Sequence, residues 1–390
     1  MNTSCQEILD RLPEYEKAVE ELKETLLTNL IMLSEIPAPT FEEQDRNRFL
    51  LNRFTEYNLQ NCSSDEKGNA LGIIPGKSRD SNILVVAHLD TIYPSNVDHT
   101  ITVEPDKVIG PGVGDNGLGL ATLATLPIIL EKLGIEFESN LILMGSSRSL
   151  GNGDIEGLRF FMENFKNPVT AGICLEGVKL GRLSYSSIGM LRGEIKYEVP
   201  EEYDWTRFSS VGAIVNMNEM INKLLEIPLP LKPKTSFILG SISGGTSYNK
   251  NPMKASLRFE VRSESEEMVE NLAVRIQSLA EEMTSMTGAN VRFLEIARRK
   301  PGGTQFSHPL NKVSRDILEN LDVTPRLSPS TSELSAFIDK DIPALTIGLT
   351  DGERLGEIDE MINIEPMKKG IAQLIALLQA VDKGYCSEYK

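Results

Sequence analysis

Four side chains of the types that bind metal ions or transfer protons lie at the ends of apolar segments. His88 and Asp90 close the run ILVVAHLDT, Asp115 follows in PGVGDNGLG, and Glu176 lies near the end of AGICLEG. Zinc sites in proteins commonly combine histidine and carboxylate ligands with water. Asp90 is two residues beyond His88, close enough to orient its imidazole from behind. These residue types are those of a zinc site built from His88, Asp115 and Glu176; the alternative is that the pair His88 and Asp90 is purely structural, as a lone histidine followed by an acid usually is.

The apolar runs that carry these side chains predict the central strands of an α/β domain. The four runs cover 83–88, 141–145, 171–177 and 342–349, with helical segments among them. They are apolar throughout, which is typical of strands buried on both faces of a mostly parallel sheet. In open α/β sheets, ligands bind beyond the carboxyl ends of the strands. We therefore expect a doubly wound, mostly parallel sheet with the candidate ligands at one edge.

Between the third and fourth runs the pattern changes to that of a separate α+β unit. The predicted order is a strand at 191–199, a helix at 212–227, strands at 235–243 and 253–262, a helix at 264–286 and a strand at 289–296. The order β-α-β-β-α-β is the ferredoxin-like signature. We predict the first part of an α/β domain over 1–185, an inserted ferredoxin-like lid over 186–299, and the second part of the α/β domain over 300–390.

Two local patterns give more detailed predictions. Thr40 and Glu43 have the spacing of a capping box, which predicts that a helix opens there. In the insert, the helix at 212–227 is expected to bury four apolar residues at helical spacing, namely Ile214, Met217, Ile221 and Leu225.

Composition and charge restrict the partners of the chain. The 390 residues carry a formal net charge of −16 and are 40% hydrophobic. This length favours two domains. Because Lys and Arg are scattered, and because no apolar run reaches the roughly eighteen residues of a membrane span, neither nucleic acid nor membrane is expected as a partner. The first residues lack a secretory signal, and the four cysteines form no CxxC pair, so a cytoplasmic protein with free thiols is expected.

The motifs, taken in order, resemble those of a known family. AHLDT, GPGVGDNGLGLATL and CLEG are similar to motifs of the dizinc metallopeptidase and aminoacylase family, which includes acetylornithine deacetylase, succinyl-diaminopimelate desuccinylase, glutamate carboxypeptidase and peptidase T. GGTSYNKNP, LRFEVRS and STSELSAFIDKDIPALTIGL resemble its later motifs, so the likeness runs from about residue 22 to residue 382. The resemblance implies the zinc-peptidase fold with an inserted lid.

The resemblance also implies roles for individual residues. In that family two metal ions share a bridging aspartate, and His88, Asp115 and Glu176 match the ligands of one of them. Asn249 and Arg262 match positions that engage the reaction-centre oxygen and a substrate carboxylate, so both are predicted to bind substrate. The alternative is that Asn249 satisfies a turn and that Arg262 pairs with an acid of the insert.

Three other positions depart from the family pattern. The family has a Glu-Glu pair after the strand LILMG, one a general base and one a ligand of the second metal, where this chain has Arg148 and Ser149. In the family's last motif Gly356 replaces the histidine of the second metal, although Glu360 is kept, and in the insert Phe208 replaces a lid histidine that stabilises the oxyanion. Arg148 would also place a permanent cation near the second metal position. No catalytic residue is assigned, and at most one zinc ion per chain, or none, is expected.

These departures favour binding over turnover. A positioned acid or base contributes about 10²–10⁴ in rate, so dizinc hydrolysis should be largely lost. The leading hypothesis is a pseudoenzyme that binds an amino-acid-like or peptide-like ligand between the domains. One alternative is a mononuclear zinc hydrolase with Glu333 or Asp154 as its base, because three protein ligands suffice for a hydrolytic zinc site. Another is a structural or regulatory homodimer that forms through the lid.

Overall fold

The described part of the chain forms two compact units. The structure, a computed structural model, describes residues 3–78, 81–200 and 212–387. One unit comprises Met1–Ser186 and Gly303–Lys390, and the other comprises Ser187–Gly302. The second unit is therefore an insert in the chain of the first, and each has a hydrophobic core of its own.

Helices and strands alternate along most of the chain. The helices of the described residues are α1 (Thr3–Asp10), α2 (Leu12–Glu21), α3 (Lys23–Ser34), α4 (Gln44–Glu56), α5 (Leu118–Lys132), α6 (Glu156–Asn164), α7 (Ala213–Leu225), α8 (Glu266–Thr287), α9 (Pro309–Asn320), α10 (Leu334–Ile338) and α11 (Met367–Asp382). The strands are β1 (Gln60–Ser64), β2 (Ala70–Ile74), β3 (Asn82–His88), β4 (Thr102–Val103), β5 (Lys107–Ile109), β6 (Asn140–Ser146), β7 (Val169–Val178), β8 (Arg182–Ser184), β9 (Ser186–Ser187), β10 (Gly189–Glu198), β11 (Thr235–Gly244), β12 (Lys254–Ser263), β13 (Asn290–Arg299), β14 (Gly302–Gly303), β15 (Arg326–Leu327), β16 (Ala344–Thr350), β17 (Gly352–Glu353) and β18 (Met361–Asn363).

The first unit is built on an eight-stranded sheet with the order β1-β2-β6-β3-β7-β16-β8-β15. The central strands β6, β3, β7 and β16 are parallel, whereas β2 and β8 join them by antiparallel pairing. Because β3, β6 and β16 are buried along nearly their whole length, their sequences are apolar throughout. The predicted fold class, α/β with a large and mostly parallel sheet, is confirmed.

Helices cover both faces of this sheet. Along β3, Ile83, Val85 and Ala87 belong to one core, whereas Leu84 and Val86 belong to another. The segment Val113–Lys132, which includes α5, is long and apolar enough to cross a membrane by length and composition, which the sequence analysis did not anticipate. Since 89% of its apolar window is buried inside the unit, it has the burial of a core helix.

The insert is an antiparallel sheet covered by two helices. Its strand order, β11-β12-β10-β13, is the ferredoxin-like arrangement. The expected buried face of α7 is correct only in part, however. Met217 is fully buried and Ile221 packs against the core of the insert, but Ile214 and Leu225 are 44% and 61% exposed. The buried face instead follows Ala213, Met217, Met220 and Leu224, because the helix is rotated by about one position from the stripe that the isoleucines suggested.

The capping box predicted at Thr40 and Glu43 is also wrong. Helix α4 begins at Gln44, and no side chain caps its first turn. The hydroxyl of Thr40 donates instead to Asp90 Oδ2 at 2.8 Å, and Glu43 Oε1 accepts the backbone N–H of Arg148 at 2.8 Å. Thr40 and Glu43 thus bind groups of other loops beside the end of β3. The hydroxyl and the carboxylate that a local cap would use are engaged by partners distant in sequence.

Candidate metal site

His88 is the last residue of β3 and is buried. Its Nδ1 lies 2.9 Å from the carbonyl oxygen of Asp90 and 3.4 Å from Asp90 Oδ1. Nδ1 thus faces Asp90, and Nε2 faces Asp115 Oδ1 at 2.9 Å. Such a contact behind a histidine fixes both its tautomer and its orientation. The ring is therefore held with Nε2 toward the candidate ligands.

Asp90 is fully buried and is held by two groups from other loops. Its Oδ2 accepts the hydroxyl of Thr40 and the backbone N–H of Leu150, each at 2.8 Å. Although burial favours the protonated acid, His88 and these donors hold the pKa of Asp90 below its ordinary value. Asp90 is thus a carboxylate that supports the ring of His88, two residues before it in the chain.

Asp115 lies in the turn Val113–Gly117, where the Asp115–Asn116 peptide bond is cis. The next side chain fastens this turn to β7: Asn116 Nδ2 donates to the carbonyl of Leu175 at 2.7 Å, and Asn116 Oδ1 accepts the N–H of Gly177 at 3.0 Å. These two bonds lie on either side of Glu176 in the chain. Asn116 therefore sets the spacing between the two candidate carboxylate ligands, a role that its position beside Asp115 could have suggested.

Glu360 supports the same turn from the other side. Its Oε1 accepts the backbone N–H groups of Gly114 and Asp115 at 2.7 and 2.9 Å. Its Oε2 accepts the Tyr93 hydroxyl at 3.1 Å. Glu360 is fully buried, and burial raises its pKa while these backbone donors oppose the rise. It is the one acid of the family's last motif that this chain keeps, and it acts here on the backbone that carries Asp115.

His88, Asp115 and Glu176 are brought together as a group that could hold a metal ion. One ligand atom from each lies within 4.8 Å of the others, and no other group of three such side chains is found in the described residues. One imidazole nitrogen and two carboxylate oxygens are the donors that a three-ligand zinc site uses, with an open position for water or a ligand. The side chains present therefore fit a single divalent ion.

The electrostatics of the group are dominated by burial and by close opposite charges. Burial alone would lower the pKa of His88, but contacts with Asp115 and Asp90 hold it well above the ordinary value. Burial raises the pKa of Glu176 to about 7. Displaced pKa values of this kind are concentrated at functional sites. Without a metal ion, His88 and Glu176 therefore hold protons that a bound cation would displace.

Arg182 is a site residue that the sequence analysis missed. It is the first residue of β8, and its Nη1 lies 3.7 Å from Glu176 Oε1. Nothing in the segment GRLS marks it as part of a site, because its proximity to Glu176 depends on how the chain turns between β7 and β8. Arg148, by contrast, was expected to place a cation near the second metal position.

The two alternative bases differ in their surroundings. Asp154 pairs with Arg159 at 2.7 Å, which engages its carboxylate. Glu333 is buried, and its Oε1 has no hydrogen-bond partner among the described residues. Its charge acts on both His88 and Glu176. Of the two, Glu333 is therefore the acid near the cluster.

The positions of the second metal carry structural contacts instead of ligands. Arg148 Nη1 pairs with Glu156 at 2.8 Å, and its guanidinium lies over the ring of Phe41. The hydroxyl of Ser149 lies 3.1 Å from that of Ser146. Gly356 has a φ of +84°, a conformation that favours glycine.

The predicted substrate-binding residues belong to the insert. Arg262 Nε donates to Glu260 Oε1 at 2.5 Å, the ion pair that the alternative interpretation expected. Asn249 is exposed in a turn after β11. Phe208, which replaces the lid histidine, lies outside the described residues. His99 and His308 are both buried, and the ring of His308 accepts the N–H of Leu310 at the start of α9.

Two segments of the chain match models of known families. Residues 69–146, which contain His88 and Asp115, match the model described as peptidase family M28. Residues 207–285, in the insert, match the model described as peptidase dimerisation domain. No curated protein matches the chain.

Solved structures of peptidases share the fold over nearly the whole length. The dipeptidase Dug1p from Saccharomyces cerevisiae superposes with a TM-score of 0.76 at 14% identity, covering 95% of this chain and 98% of that one. Aminopeptidase PepT from Bacillus cereus gives 0.70 at 17% identity, covering 92% and 98%. A dinuclear metal-binding peptidase of the M20 family from Bacillus subtilis gives 0.66 at 15% identity, covering 93% and 99%. The predicted resemblance to the dizinc metallopeptidase family is confirmed.

Proposed function

We propose that this chain binds an amino-acid-like or peptide-like ligand at a one-metal site and does not carry out dizinc hydrolysis. The observation that carries the proposal is the difference between the two halves of the expected site. His88, Asp115 and Glu176 meet within 4.8 Å, whereas Arg148 and Ser149 engage Glu156 and Ser146. The fold and its metallopeptidase relatives support a ligand of the peptide class.

The cluster residues would each do a separate task. His88 Nε2, Asp115 and Glu176 would hold one zinc ion, and Asp90 would keep the His88 ring oriented. A zinc ion held there acts as a Lewis acid that polarises a carbonyl or carboxylate oxygen. No carboxylate stands at the positions of the family's Glu-Glu pair. Without a base there to take a proton from an attacking water, the bound ligand would not be hydrolysed.

Metal analysis combined with a substrate panel tests this proposal. Protein purified without chelator is expected to hold at most one zinc ion per chain. Dipeptides and N-acyl amino acids should raise its melting temperature in the presence of zinc without being hydrolysed. Hydrolysis that persists in pure protein and disappears in His88→Ala would overturn the binding-only proposal.

A second candidate, a mononuclear zinc hydrolase, is favoured by Glu333. Its buried and unpartnered Oε1 lies close enough to influence His88 and Glu176, and a base needs such a free oxygen. If the chain is a hydrolase, Glu333→Gln should lower turnover by about 10²-fold or more while zinc binding stays intact. Asp154→Asn, whose carboxylate pairs with Arg159, is the matched control.

We further propose a homodimer that forms through the insert. β11 is an edge strand, and it exposes Ile238, Leu239 and Ile242. Ile214 of α7 is also exposed and lies next to Gly244 at the end of this strand. An exposed apolar edge strand is suited to pairing with a second copy. Sedimentation should show a dimer for the parent and a monomer for Ile242→Lys; a monomeric parent contradicts the proposal.

A further inference from the structure

Arg182 places a fixed guanidinium beside the candidate ligands. Its side chain is 22% exposed, and each of its nitrogens faces a partner. Nη1 lies 3.7 Å from Glu176 Oε1, Nε donates to Ser184 Oγ at 3.3 Å, and Nη2 reaches Ser330 Oγ at 3.5 Å. Because Ser184 and Ser330 are both buried, these contacts hold the guanidinium in one position.

The charge of Arg182 acts on two of the three ligands. Burial raises the pKa of Glu176, and Arg182 is the strongest influence against that rise. Burial also raises the pKa of Asp115, but His88 and then Arg182 bring it below the ordinary value. A guanidinium does not lose its proton in proteins, so this positive charge is present at every working pH.

We propose that Arg182 is a built-in counter-cation of the His88–Asp115–Glu176 cluster and that it weakens the binding of a divalent ion there. The inference rests on the proposed one-metal site. An ion held by Glu176 lies about 2 Å from the carboxylate oxygen, and the guanidinium nitrogen is 3.7 Å from Oε1 of the same carboxylate. The two cations therefore repel one another at short range and compete for one carboxylate.

This arrangement makes the cluster an exchangeable metal site. Without metal, Arg182 balances the charge of Glu176, so the carboxylate is not left buried and unpaired. When a metal ion binds, Glu176 must give up its contact with Arg182 or be shared between the two cations, and this costs part of the free energy of metal binding. The zinc occupancy of the cluster should consequently follow the concentration of free zinc, and the ion should exchange instead of staying permanently bound.

Arg148 provides a matched comparison in the same unit. Its side chain is 30% exposed and makes one ion pair with a glutamate, as that of Arg182 does. Its partner, Glu156, does not belong to the cluster. Removing the charge of Arg148 should therefore leave the metal site unchanged, whereas removing that of Arg182 should strengthen it.

Isothermal titration calorimetry of the full chain with zinc tests the proposal. Arg182→Gln and Arg182→Met should bind zinc about tenfold more tightly than the parent or better, because the repulsion is removed. Arg182→Lys keeps the charge and should stay within about threefold of the parent. Arg148→Gln should stay within about twofold. Adding His88→Ala to Arg182→Gln should abolish the gain.

Several results would overturn the proposal. These are an unchanged or weaker zinc affinity in both neutral variants, an equal gain in Arg182→Lys or in Arg148→Gln, and a gain that survives His88→Ala. Two neutral variants are used so that a folding defect in one, seen by circular dichroism, does not remove the test. Hydrolysis of the substrate panel by the parent would overturn the proposed function without changing the order of zinc affinities, so the two failures are distinguishable.

Discussion

The two halves of the expected dinuclear site, one at His88, Asp115 and Glu176 and the other at Arg148, Ser149 and Gly356, carry different kinds of side chain. In the first half, Asp90 holds the ring of His88, Glu360 holds the backbone of Asp115, and the ligand atoms of His88 and Asp115 converge with that of Glu176. In the second half, Arg148 and Ser149 make contacts that serve the loop itself. The structure therefore brings together one set of candidate ligands, whereas the positions compared with the other set make different contacts.

Glu360 shows why one element of the second half is kept. Its carboxylate holds the backbone of Gly114 and Asp115 and accepts the Tyr93 hydroxyl. It supports the turn of the first half, so its replacement would disturb Asp115. Gly356, four residues earlier, has no comparable contact to a ligand of the first half.

The largest expected effect is that of His88→Ala. It removes the only nitrogen ligand of the cluster, so zinc affinity should fall by about 100-fold or more. Ser149→Ala, in the other half, should leave zinc affinity unchanged, because its hydroxyl contacts only Ser146 among the described residues. Calorimetric titration of both variants checks this, and a comparable loss in Ser149→Ala would contradict the division into two halves.

Rebuilding the second half should change the stoichiometry of zinc binding from one to two. The variant that combines Arg148→Glu, Ser149→Glu and Gly356→His restores the side chains that the family uses. Because Gly356 has a φ of +84°, the variant should also lose about 1–2 kcal/mol of unfolding free energy. Titration gives the stoichiometry. A value still at one would mean that the loops, and not only the side chains, differ from the family.

Glu360→Ala should reduce both stability and zinc affinity. It leaves the N–H groups of Gly114 and Asp115 without their acceptor, at a cost of about 2–3 kcal/mol of unfolding free energy. Glu360→Gln keeps one acceptor oxygen and should lose less than half as much. Urea unfolding measures the difference, and equal stabilities for the parent and Glu360→Ala would show that the turn does not depend on this carboxylate.

Zinc affinity should rise with pH. The pKa of His88 is held well above its ordinary value and that of Glu176 is raised to about 7, so a cation must displace protons from both below neutral pH. Between pH 6 and pH 8 the affinity should therefore increase by about tenfold or more. Titrations in buffers of different ionisation enthalpy would also detect the released protons. An affinity that is flat or falls over this range would contradict the pKa shifts.

The smallest expected effect is that of Thr40→Val. It removes one of the two donors to Asp90 Oδ2 and leaves the backbone N–H of Leu150 in place. The unfolding free energy should fall by about 1 kcal/mol, and zinc affinity by a few-fold, because the His88 ring is held less firmly. Thr55→Val, at an exposed helix position, is the control and should change zinc affinity very little.

Much of the fold followed from local sequence patterns. The strand predicted at 141–145 is β6, and the helix predicted at 264–286 is α8. Uninterrupted apolar runs and long amphipathic stretches are strong signals, because burial on both faces or on one stripe leaves few other arrangements. The predicted buried face of α7 was wrong at Ile214 and Leu225, because apolar residues at helical spacing do not show which row of residues along the helix packs against the sheet.

The residue types and the apolar runs predicted the ligand types and their place near the ends of strands, because His88 ends one such run and Glu176 lies near the end of another. Which groups surround these ligands depends on the three-dimensional fold. Thr40 donates to Asp90, which lies 50 residues further along the chain, instead of capping α4, and Arg182, unmarked in the sequence, lies beside Glu176 after the turn between β7 and β8. Contacts of this kind depend on how loops and turns pack at the end of the sheet, and no local pattern encodes them.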